Sequence, residues 1–202
     1  MENKNLKIKV IGIGGGGQQS VDYMYSNNKR ENIDFLVINS DESCLKKSKT
    51  PNRYVLSGDY LNENGESLDC GGNPYAGMVY ALKHMDNIKK IIGSPDVVFL
   101  TAGFGGGCGT GATLIIAEKL KSDRIKTIAI ITKPFKWEGK LREQRTTKGI
   151  EEIKQHANAV ITLDANEILI KNFSDGLTFK ETFDLLNSKV AEAVYTEISK
   201  FY

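Results

Sequence analysis

Short apolar runs alternate with helix-like segments along the chain. The runs typical of buried strands occupy residues 6–13, 35–39, 97–102, 127–132 and 160–163. Apolar side chains at the three- and four-residue spacing of helices occupy residues 18–26, 73–92, 110–120, 140–157 and about 178–202. Strands that alternate with helices predict an α/β fold, a three-layer Rossmann-like arrangement in which helices cover both faces of a mostly parallel sheet.

Local signals predict several element boundaries. Asn73 followed by Pro74 is typical of a helix N-cap and first helical position, and Gly93-Ser94-Pro95 predicts the end of that helix. Residues 41–72 are polar and rich in turn formers, and they predict no element. The last helix would be roughly 37 Å long at 1.5 Å per residue. The chain has no internal repeat and no low-complexity linker, so we expect residues 1–202 to form a single domain.

Composition narrows the class of protein. With 40% hydrophobic residues in 202, the chain can form a core, which excludes disorder as the main state. The 27 basic and 25 acidic residues leave a net charge of +2, which argues against a nucleic-acid partner. The cysteines Cys44, Cys70 and Cys108 are odd in number and form no CxxC, which argues against a disulfide framework or a zinc ribbon. The chain shows neither a signal peptide nor a spanning apolar run, so we expect a cytoplasmic protein with no membrane insertion.

The first glycine cluster, Gly12-Ile13-Gly14-Gly15-Gly16-Gly17, lies between a predicted strand and a predicted helix. It matches GxGxxG, whose backbone amides can approach a phosphate at a helix N-terminus. An isolated match of this kind is a weak signal, because a glycine turn that binds no ligand also fits it. A nicotinamide-dependent enzyme would place an acidic residue ~20 residues further on, at the end of the next strand. Asp34 precedes that strand and Asp41 follows it, so the match to such an enzyme is loose.

The second glycine cluster follows the strand at residues 97–102 and opens a helix. It holds five glycines in the seven residues GGGCGTG at 105–111. Unshielded amides and the helix dipole together predict an anion-binding loop. Two such loops after two parallel strands predict that one polyphosphate is held from two sides. No GxxxxGK[ST] sequence occurs in the chain, which excludes a P-loop protein.

The segment GGGCGTGA at residues 105–112 closely resembles the tubulin and FtsZ signature GGGTGTG[SA]. Further segments resemble FtsZ in the same order and spacing: KVIGIGGGGQQSV at 9–21, VINSD at 37–41, GGNP at 71–74, TKPFKWEGK at 132–140 and ANE at 165–167. The resemblance extends from Lys7 to about Tyr195. On it the chain is identified as a member of the tubulin/FtsZ superfamily, similar to the N-terminal GTP-binding domain of FtsZ.

This resemblance implies that the ligand is GTP or GDP, with Mg²⁺ held through its phosphates. It implies phosphate contacts from the first loop, namely Gly15, Gly16, Gly17, Gln18 and Gln19, and contacts near the γ-phosphate from Cys70, Gly71 and Gly72. It implies α/β-phosphate contacts from the backbone of Gly105, Gly106, Gly107, Cys108, Gly109, Thr110 and Gly111, with the Thr110 hydroxyl added. Glu138 and Arg142 correspond to ribose and phosphate contacts, and Asn166, Phe183 and Asn187 to guanine contacts.

Some of these residues have a second interpretation. Glu138 and Arg142 are four apart at a helix start, which also fits a solvated ion pair of little energetic value. Phe183 belongs to the apolar stripe of the last helix, which also fits a core position. The basic segment at residues 133–148 could contact RNA or DNA, but few aromatic residues interleave with it and a solvated helix face is the better interpretation.

The chain departs from the FtsZ pattern at several positions. Cys108 and Ser40 replace threonines and Gln19 replaces an asparagine, which affects the expected affinity more than the expected site. In FtsZ the long helix leads into an acidic NxDxxD loop, which activates the water in the neighbouring subunit's site, and into a second domain. No NxDxxD occurs in the C-terminal half of this chain, and we expect the second domain to be absent.

We therefore expect a GTP- or GDP-binding, FtsZ-like cytoskeletal protein linked to cell division or filament assembly. It would hydrolyse little GTP alone, because phosphoryl transfer lacks acidic groups to position the water. Its partner would be a full-length FtsZ-like subunit, or a second copy bound head-to-tail. One alternative is a fragment of an active filament-forming division GTPase whose reading frame continues past Tyr202. The other, an NAD(P)-binding oxidoreductase, would leave GGGCGTGA without a role.

Overall fold

A computed structural model describes residues 6–27, 30, 32–58, 69–171 and 177–202. In that part of the chain six strands form one sheet: β1 (Ile8–Ile13), β2 (Ile33–Asn39), β3 (Arg53–Val55), β4 (Val97–Gly103), β5 (Lys126–Lys133) and β6 (Ala159–Asp164). Their order is β3-β2-β1-β4-β5-β6, and every neighbouring pair is parallel. The predicted parallel α/β sheet is thereby confirmed.

The helices pack on both faces of this sheet. They are α1 (Gly14–Asn27), α2 (Glu42–Lys46), α3 (Pro74–Lys83), α4 (Met85–Ile92), α5 (Cys108–Ser122), α6 (Lys140–Ile153), α7 (Ala165–Lys171) and α8 (Phe179–Ser199). A short 3-10 helix, Lys136–Glu138, precedes α6. None of the helices in the described ranges combines the length and the low polarity that a membrane crossing requires.

Two apolar cores separate the three layers. Successive side chains of a strand point to opposite faces, so Leu36 and Ile38 join one core while Phe35 and Val37 join the other. The first core lies beneath α3, α4, α5 and α6, and the second lies beneath α1 and α8. All six residues of β1 are buried, as expected for a central strand covered on both faces.

Two predicted helices have different bounds in the structure. Helix α1 begins at Gly14, inside the glycine cluster, and not at Gln18, so the loop after β1 is shorter than predicted. The helix predicted over residues 73–92 is interrupted at His84, whose φ is −95° and ψ 7°. The His84 ring contacts the Tyr54 hydroxyl at 2.7 Å and the Ser57 carbonyl oxygen at 2.9 Å. These contacts hold the junction of α3 and α4 against the segment after β3.

Several boundary predictions are confirmed. Asn73 caps α3 by accepting a hydrogen bond from the Tyr75 amide, and Pro74 is its first residue. Helix α8 begins after Thr178, whose hydroxyl accepts from the Glu181 amide in a capping box. With 21 residues α8 is about 32 Å long, somewhat shorter than predicted. Elements α2, β3 and α7 had no prediction, and part of the unassigned stretch, residues 59–68, lies outside the described residues.

Candidate functional site

An open cleft of about 390 Å³ lies at the carboxyl ends of β1 and β4. The strand order reverses between these two neighbours, and such switch points are where open parallel sheets bind ligands. The predicted site residues that line the cleft are Gly15, Gly16, Gln19, Cys70, Gly71, Gly72, Gly106, Gly107, Cys108, Gly109, Glu138, Arg142, Phe183 and Asn187. The structure therefore brings segments from five parts of the chain to one cavity.

The two glycine loops touch each other backbone to backbone. A Cβ added at Gly14 would lie 2.6 Å from the Gly109 amide nitrogen, and one at Gly16 would lie 3.2 Å from the Gly103 Cα. Gly14 also has a φ of +69°, which glycine adopts without strain. Side chains at these positions would separate the loops. The glycines therefore bring two rows of amides to one cleft.

Other glycines of the predicted site serve packing. A Cβ at Gly17 would lie 2.2 Å from the Thr101 carbonyl oxygen, and one at Gly111 would lie 1.9 Å from the Pro74 carbonyl oxygen. Gly17 and Gly111 do not line the cleft. Gly17 thus allows α1 to lie close to the sheet, and Gly111 allows α5 to lie close to α3.

Two glycines of the cleft face open space. No heavy atom lies within 4 Å of a Cβ built at Gly15 or at Gly106, although both residues line the cleft. Neither has the positive φ that would itself demand glycine. The fold therefore gives no packing reason for glycine at these positions, and the cavity beside them is left unobstructed.

Four predicted site residues lie behind the cleft wall. The Thr110 hydroxyl accepts a hydrogen bond from the Gly105 amide at 2.9 Å, so both residues brace the second loop from inside. The Gln18 side chain donates to the Cys44 carbonyl at 2.7 Å and accepts from Asn39 at 2.9 Å. These bonds tie α1 to β2 and α2, and Gln18 does not line the cleft.

Asn166 is the fourth of these residues. It accepts from the Lys136 amide at 2.9 Å and donates to the Pro134 carbonyl oxygen at 3.2 Å and to Asp164 Oδ1 at 3.1 Å. Its amide group is thus engaged with protein on both of its polar atoms. The side chain fixes the loop after β5 against the end of β6, and it does not line the cleft.

The turn at residues 70–73 forms the wall opposite the first loop. Gly71 and Gly72 have φ values of +52° and +72°. Arg145 Nη1 donates to the Gly72 carbonyl at 2.6 Å and so ties this turn to α6. A Cβ at Gly107 would lie 2.6 Å from the Cys70 Cβ, so the turn packs directly on the second glycine loop.

Glu138 and Arg142 form an ion pair at the mouth of the cleft. Glu138 Oε1 also accepts from the Phe135 amide at 2.9 Å, which holds the carboxylate at the start of α6. The Arg142 side chain is 49% exposed. The predicted solvated ion pair is present, and because both residues line the cleft the pair also leaves a guanidinium available to an anion there.

Residues of α8 close the far end of the cleft. Asn187 is buried and its Oδ1 accepts from the Ser20 hydroxyl at 2.9 Å. Phe183 is 37% exposed, and its ring lies edge-on to Phe135 with 5.6 Å between centroids. Phe135 in turn stacks on Trp137 at 4.1 Å. Phe183 therefore lines the cleft with an aromatic surface, and the purely core interpretation does not describe it.

Some cleft residues were outside the predicted set. They follow the ends of strands or flank the glycine loops, and include Ser20, Asn39, Ser40, Asp41, Cys44, Asp69, Thr132 and Lys133. For those at or just after the carboxyl ends of β2 and β5, this position is the signal that could have found them, because carboxyl ends of parallel strands share one edge of the sheet.

The carboxylates that line the cleft are already engaged. Asp41 accepts from the Cys44 amide at 2.9 Å, and this backbone hydrogen bond holds the pKa of Asp41 below its ordinary value. Asp69 accepts from the Gly71 amide at 2.7 Å, and Glu138 pairs with Arg142. Across the described ranges, no three His, Cys, Asp or Glu side chains form a group that could hold a metal ion.

The cleft can thus accept an anion along two rows of amides, with Arg142 and Lys133 as cationic side chains and Phe183 as an apolar surface. Comparison with known families agrees with this chemistry. The family model described as Tubulin/FtsZ family, GTPase domain, matches residues 7–173.

Curated relatives match over almost the whole chain. Cell division protein FtsZ of Buchnera aphidicola subsp. Baizongia pistaciae is 38% identical over 192 residues, which cover 95% of this chain and 48% of that protein. The protein of the same name from Aquifex aeolicus is 38% identical over 189 residues, 93% of this chain and 50% of that protein. The chain therefore spans about half the length of the curated relatives it matches.

A solved structure, described as an empty FtsZ dimer from M. jannaschii, is similar in fold and sequence. It superposes with a TM-score of 0.83 at 30% identity, covering 96% of this chain and 54% of the other. The shared region is the parallel sheet with its helices, so the cleft sits on a fold common to both chains.

Proposed function

The chain belongs to the Tubulin/FtsZ family, through its GTPase domain, and on this premise we propose that the cleft binds GTP or GDP. The observation that carries the proposal is the pair of glycine loops held in backbone contact. They bring Gly15 and Gly106 to one open volume, where no packing requirement explains the glycines. Amides at two helix N-termini favour the charge of a polyphosphate.

The other residues that line the cleft would contact different parts of such a nucleotide. The glycine loops and the turn at 70–72 surround the phosphates, and Arg142 adds a positive charge beside Glu138. Phe183 and Asn187 line the cleft from α8, where an aromatic surface and an amide suit a purine. Thr110, Gln18, Gly17, Gly105, Gly111 and Asn166 support this arrangement from behind.

Mg²⁺ would be held mainly through the phosphates. Magnesium bound to nucleotides takes one or two carboxylates at most and keeps several waters. The donor set of this cleft fits that mode, because its carboxylates are separate and engaged in local hydrogen bonds. When bound, the ion would neutralise phosphate charge.

We propose that these 202 residues alone hydrolyse GTP slowly. Phosphoryl transfer needs a group that orients the attacking water. Among the described cleft carboxylates, Asp41 and Asp69 each accept from a backbone amide close in sequence, and Glu138 accepts from Phe135 and pairs with Arg142, so we infer that these three groups mainly hold local structure. An acidic group from a neighbouring subunit would complete the site.

The biological role that we propose is based on the names of the relatives. We propose that the protein acts in the cytoplasm, in cell division or filament assembly. Its partner would be a full-length FtsZ-like subunit or a second copy bound head-to-tail, and residues 1–202 would form one nucleotide-binding domain. If the chain is instead a fragment of a division GTPase, the nucleotide would bind in the same cleft. Membership of the Tubulin/FtsZ family decides against the oxidoreductase alternative.

Two aromatic residues of α8 allow a matched test. Phe183 lines the cleft, whereas Phe179, one turn earlier, is 75% exposed and lies outside it. Base stacking on an aromatic ring contributes about 1–3 kcal/mol. Calorimetric titration with GDP should therefore give about tenfold weaker binding for Phe183→Ala and unchanged binding for Phe179→Ala. Equal affinities for the two variants would contradict the purine position.

Slow turnover has its own measurement. Phosphate release from GTP should stay near the uncatalysed background for the chain alone. In a mixture with a full-length FtsZ it should exceed the sum of the rates that the two proteins give separately. Rapid release by the chain alone would overturn this part of the proposal, and the nucleotide site would still be tested by the titration.

A further inference from the structure

All three cysteines of the chain line the proposed nucleotide cleft. Cys44 is exposed at the start of α2, whereas Cys70 and Cys108 are buried in the cleft wall. Cys70 belongs to the turn at 70–73 and Cys108 opens α5 after the second glycine loop. The fold thus brings two thiols from two separate ligand-binding segments to one place.

Backbone contacts hold these two segments together. A Cβ at Gly107, the neighbour of Cys108, would lie 2.6 Å from the Cys70 Cβ and 2.9 Å from the Asn73 amide nitrogen. The turn itself is closed by the Asn73 amide, which donates to the Cys70 carbonyl at 2.8 Å. Cys70 thus packs against the chain neighbour of Cys108, and the pKa of each thiol is shifted by the other. Only 4% of Cys70 and 7% of Cys108 is exposed.

The two thiols differ in acidity. The hydrogen bond from the Cys108 thiol lowers the pKa of Cys70, since it stabilises the Cys70 thiolate. The same hydrogen bond, with burial, raises the pKa of Cys108. The hydrogen bond to Asp41 raises the pKa of the exposed Cys44. The thiolate is the reactive form of cysteine, so Cys70 is the nucleophile of the set.

We propose that Cys70 and Cys108 form a reversible disulfide that weakens nucleotide binding in the cleft. The effect on nucleotide rests on the proposed function, but the disulfide does not. Disulfides of proteins in a reducing compartment are typically transient and redox-sensing, which suits a pair buried at a ligand site.

The oxidant is a small peroxide, for which the open cleft gives access. The Cys70 thiolate attacks one oxygen of hydrogen peroxide, the O–O bond breaks, and the leaving hydroxide takes a proton to become water. Cys70 is then a sulfenic acid. Cys108 sulfur attacks the Cys70 sulfur, the S–O bond breaks, and the Cys108 proton leaves with the oxygen as a second water. Two thiols and one peroxide thus give one disulfide and two waters.

The effect on nucleotide binding follows from the segments to which the two cysteines belong. A disulfide requires the sulfurs to approach to about 2.05 Å, closer than a hydrogen bond. That movement displaces the turn with Gly71 and Gly72 relative to the loop with Gly106 and Gly107. These two segments already pack on each other and both line the cleft, so the wall around the proposed phosphate position changes shape. Binding and oxidation then oppose each other, and linkage requires that bound nucleotide also protects the thiols.

The test uses the reduced full chain with hydrogen peroxide as the oxidant. After treatment and alkylation, mass spectrometry should find one alkylated cysteine in place of three, and a linked peptide pair that holds Cys70 and Cys108. Dithiothreitol should restore three. Cys44→Ser should still form the disulfide, whereas Cys70→Ser and Cys108→Ser should each fail to form it. Saturating GDP should slow its formation by about tenfold or more.

The oxidised chain is then titrated with GDP beside the reduced chain. At least tenfold weaker binding after oxidation supports the proposal. Absence of the 70–108 linkage in the peroxide-treated chain overturns it, and so does a disulfide that leaves GDP affinity unchanged. Failure of the proposed function is distinct, because the reduced chain would then bind no GDP while the linkage, scored by mass alone, would still form.

Discussion

Replacing a glycine of the second loop by alanine should have different effects at Gly106, which lines the cleft, and at Gly111, which packs against α3. Gly106 lines the cleft with open space at its Cβ position, whereas a Cβ at Gly111 would lie 1.9 Å from the Pro74 carbonyl oxygen. We predict that Gly106→Ala impairs nucleotide binding and preserves stability. Gly111→Ala should destabilise the fold because α5 can no longer lie against α3.

The magnitudes follow from these surroundings. At Gly111 the contacted atom is backbone, so the cost should be near 3 kcal/mol, the upper end for overpacking. For a chain of this size that lowers Tm by about 6–12 °C. Gly106→Ala removes a flexible residue without a clash, which changes stability by less than about 1 kcal/mol. The added methyl group keeps the Gly106 amide but occupies cleft space beside it, so it should displace the phosphate from one amide hydrogen bond. Loss of such a bond to a charged phosphate costs about 1.5–3 kcal/mol, or roughly ten- to hundredfold in affinity.

The assay is a pair of measurements on wild type and both variants, thermal unfolding without ligand and calorimetric titration with GDP. A Gly106→Ala chain that binds GDP as tightly as wild type would refute the position of the phosphates. A Gly111→Ala chain with an unchanged Tm would refute the packing role of that glycine.

Three further predictions concern single side chains. Arg142→Ala should weaken GDP binding about tenfold in calorimetry, yet shift Tm little, because its exposed ion pair contributes at most about 1 kcal/mol. Asn187→Ala removes one of the two acceptors of the Ser20 hydroxyl, which keeps the Gly16 carbonyl oxygen at 3.1 Å, and should cost about 0.5–1.5 kcal/mol in urea unfolding and reduce the preference for GDP over ADP. The backbone N–H that caps α2 lowers the pKa of Asp41, so its stabilisation is present above the ordinary value of 3.8 and is lost as pH falls through the lowered pKa. The stability advantage of wild type over Asp41→Asn should therefore shrink from about pH 5 to about pH 3.

Each of these three has a contrary result. Unchanged GDP affinity in Arg142→Ala would make its pair with Glu138 a surface feature only. An Asn187→Ala chain with full stability would mean that the Ser20 hydrogen bond contributes nothing. A constant stability difference between pH 5 and 3, as read from urea unfolding at each pH, would show that the Asp41 cap does not titrate as described.

The sheet was predictable because its strands are short apolar runs and every connection is long enough to cross over. The same runs could not fix the start of α1, because glycines at residues 14–17 have low helix propensity and only their contact with the neighbouring loop makes a helix there. Nor could they show the break at His84, which depends on contacts with Tyr54 and Ser57 from a distant segment.

The cleft was predictable at the level of its loops and less so for single side chains. The glycine motifs place Gly15 and Gly106 correctly at its wall. Motif matching alone does not separate Thr110, Gln18 and Asn166, which turn their polar groups into the protein, from neighbours that face the cavity. Sequence also gave no sign that Cys70 and Cys108 meet, since only the folded chain brings their segments together.

The central claim is that this cleft binds guanine nucleotide, and the chain contains an intrinsic fluorophore that can report such binding. Trp137 is the only tryptophan, and it adjoins Glu138 and stacks on Phe135 at the cleft mouth. We would titrate the reduced chain with GTP, GDP, ATP and NAD and follow Trp137 fluorescence, with calorimetry as a check. The account predicts a saturable change with GTP and GDP and none with ATP or NAD. Absence of any guanine response by both methods, or an equal response to all four, would contradict it.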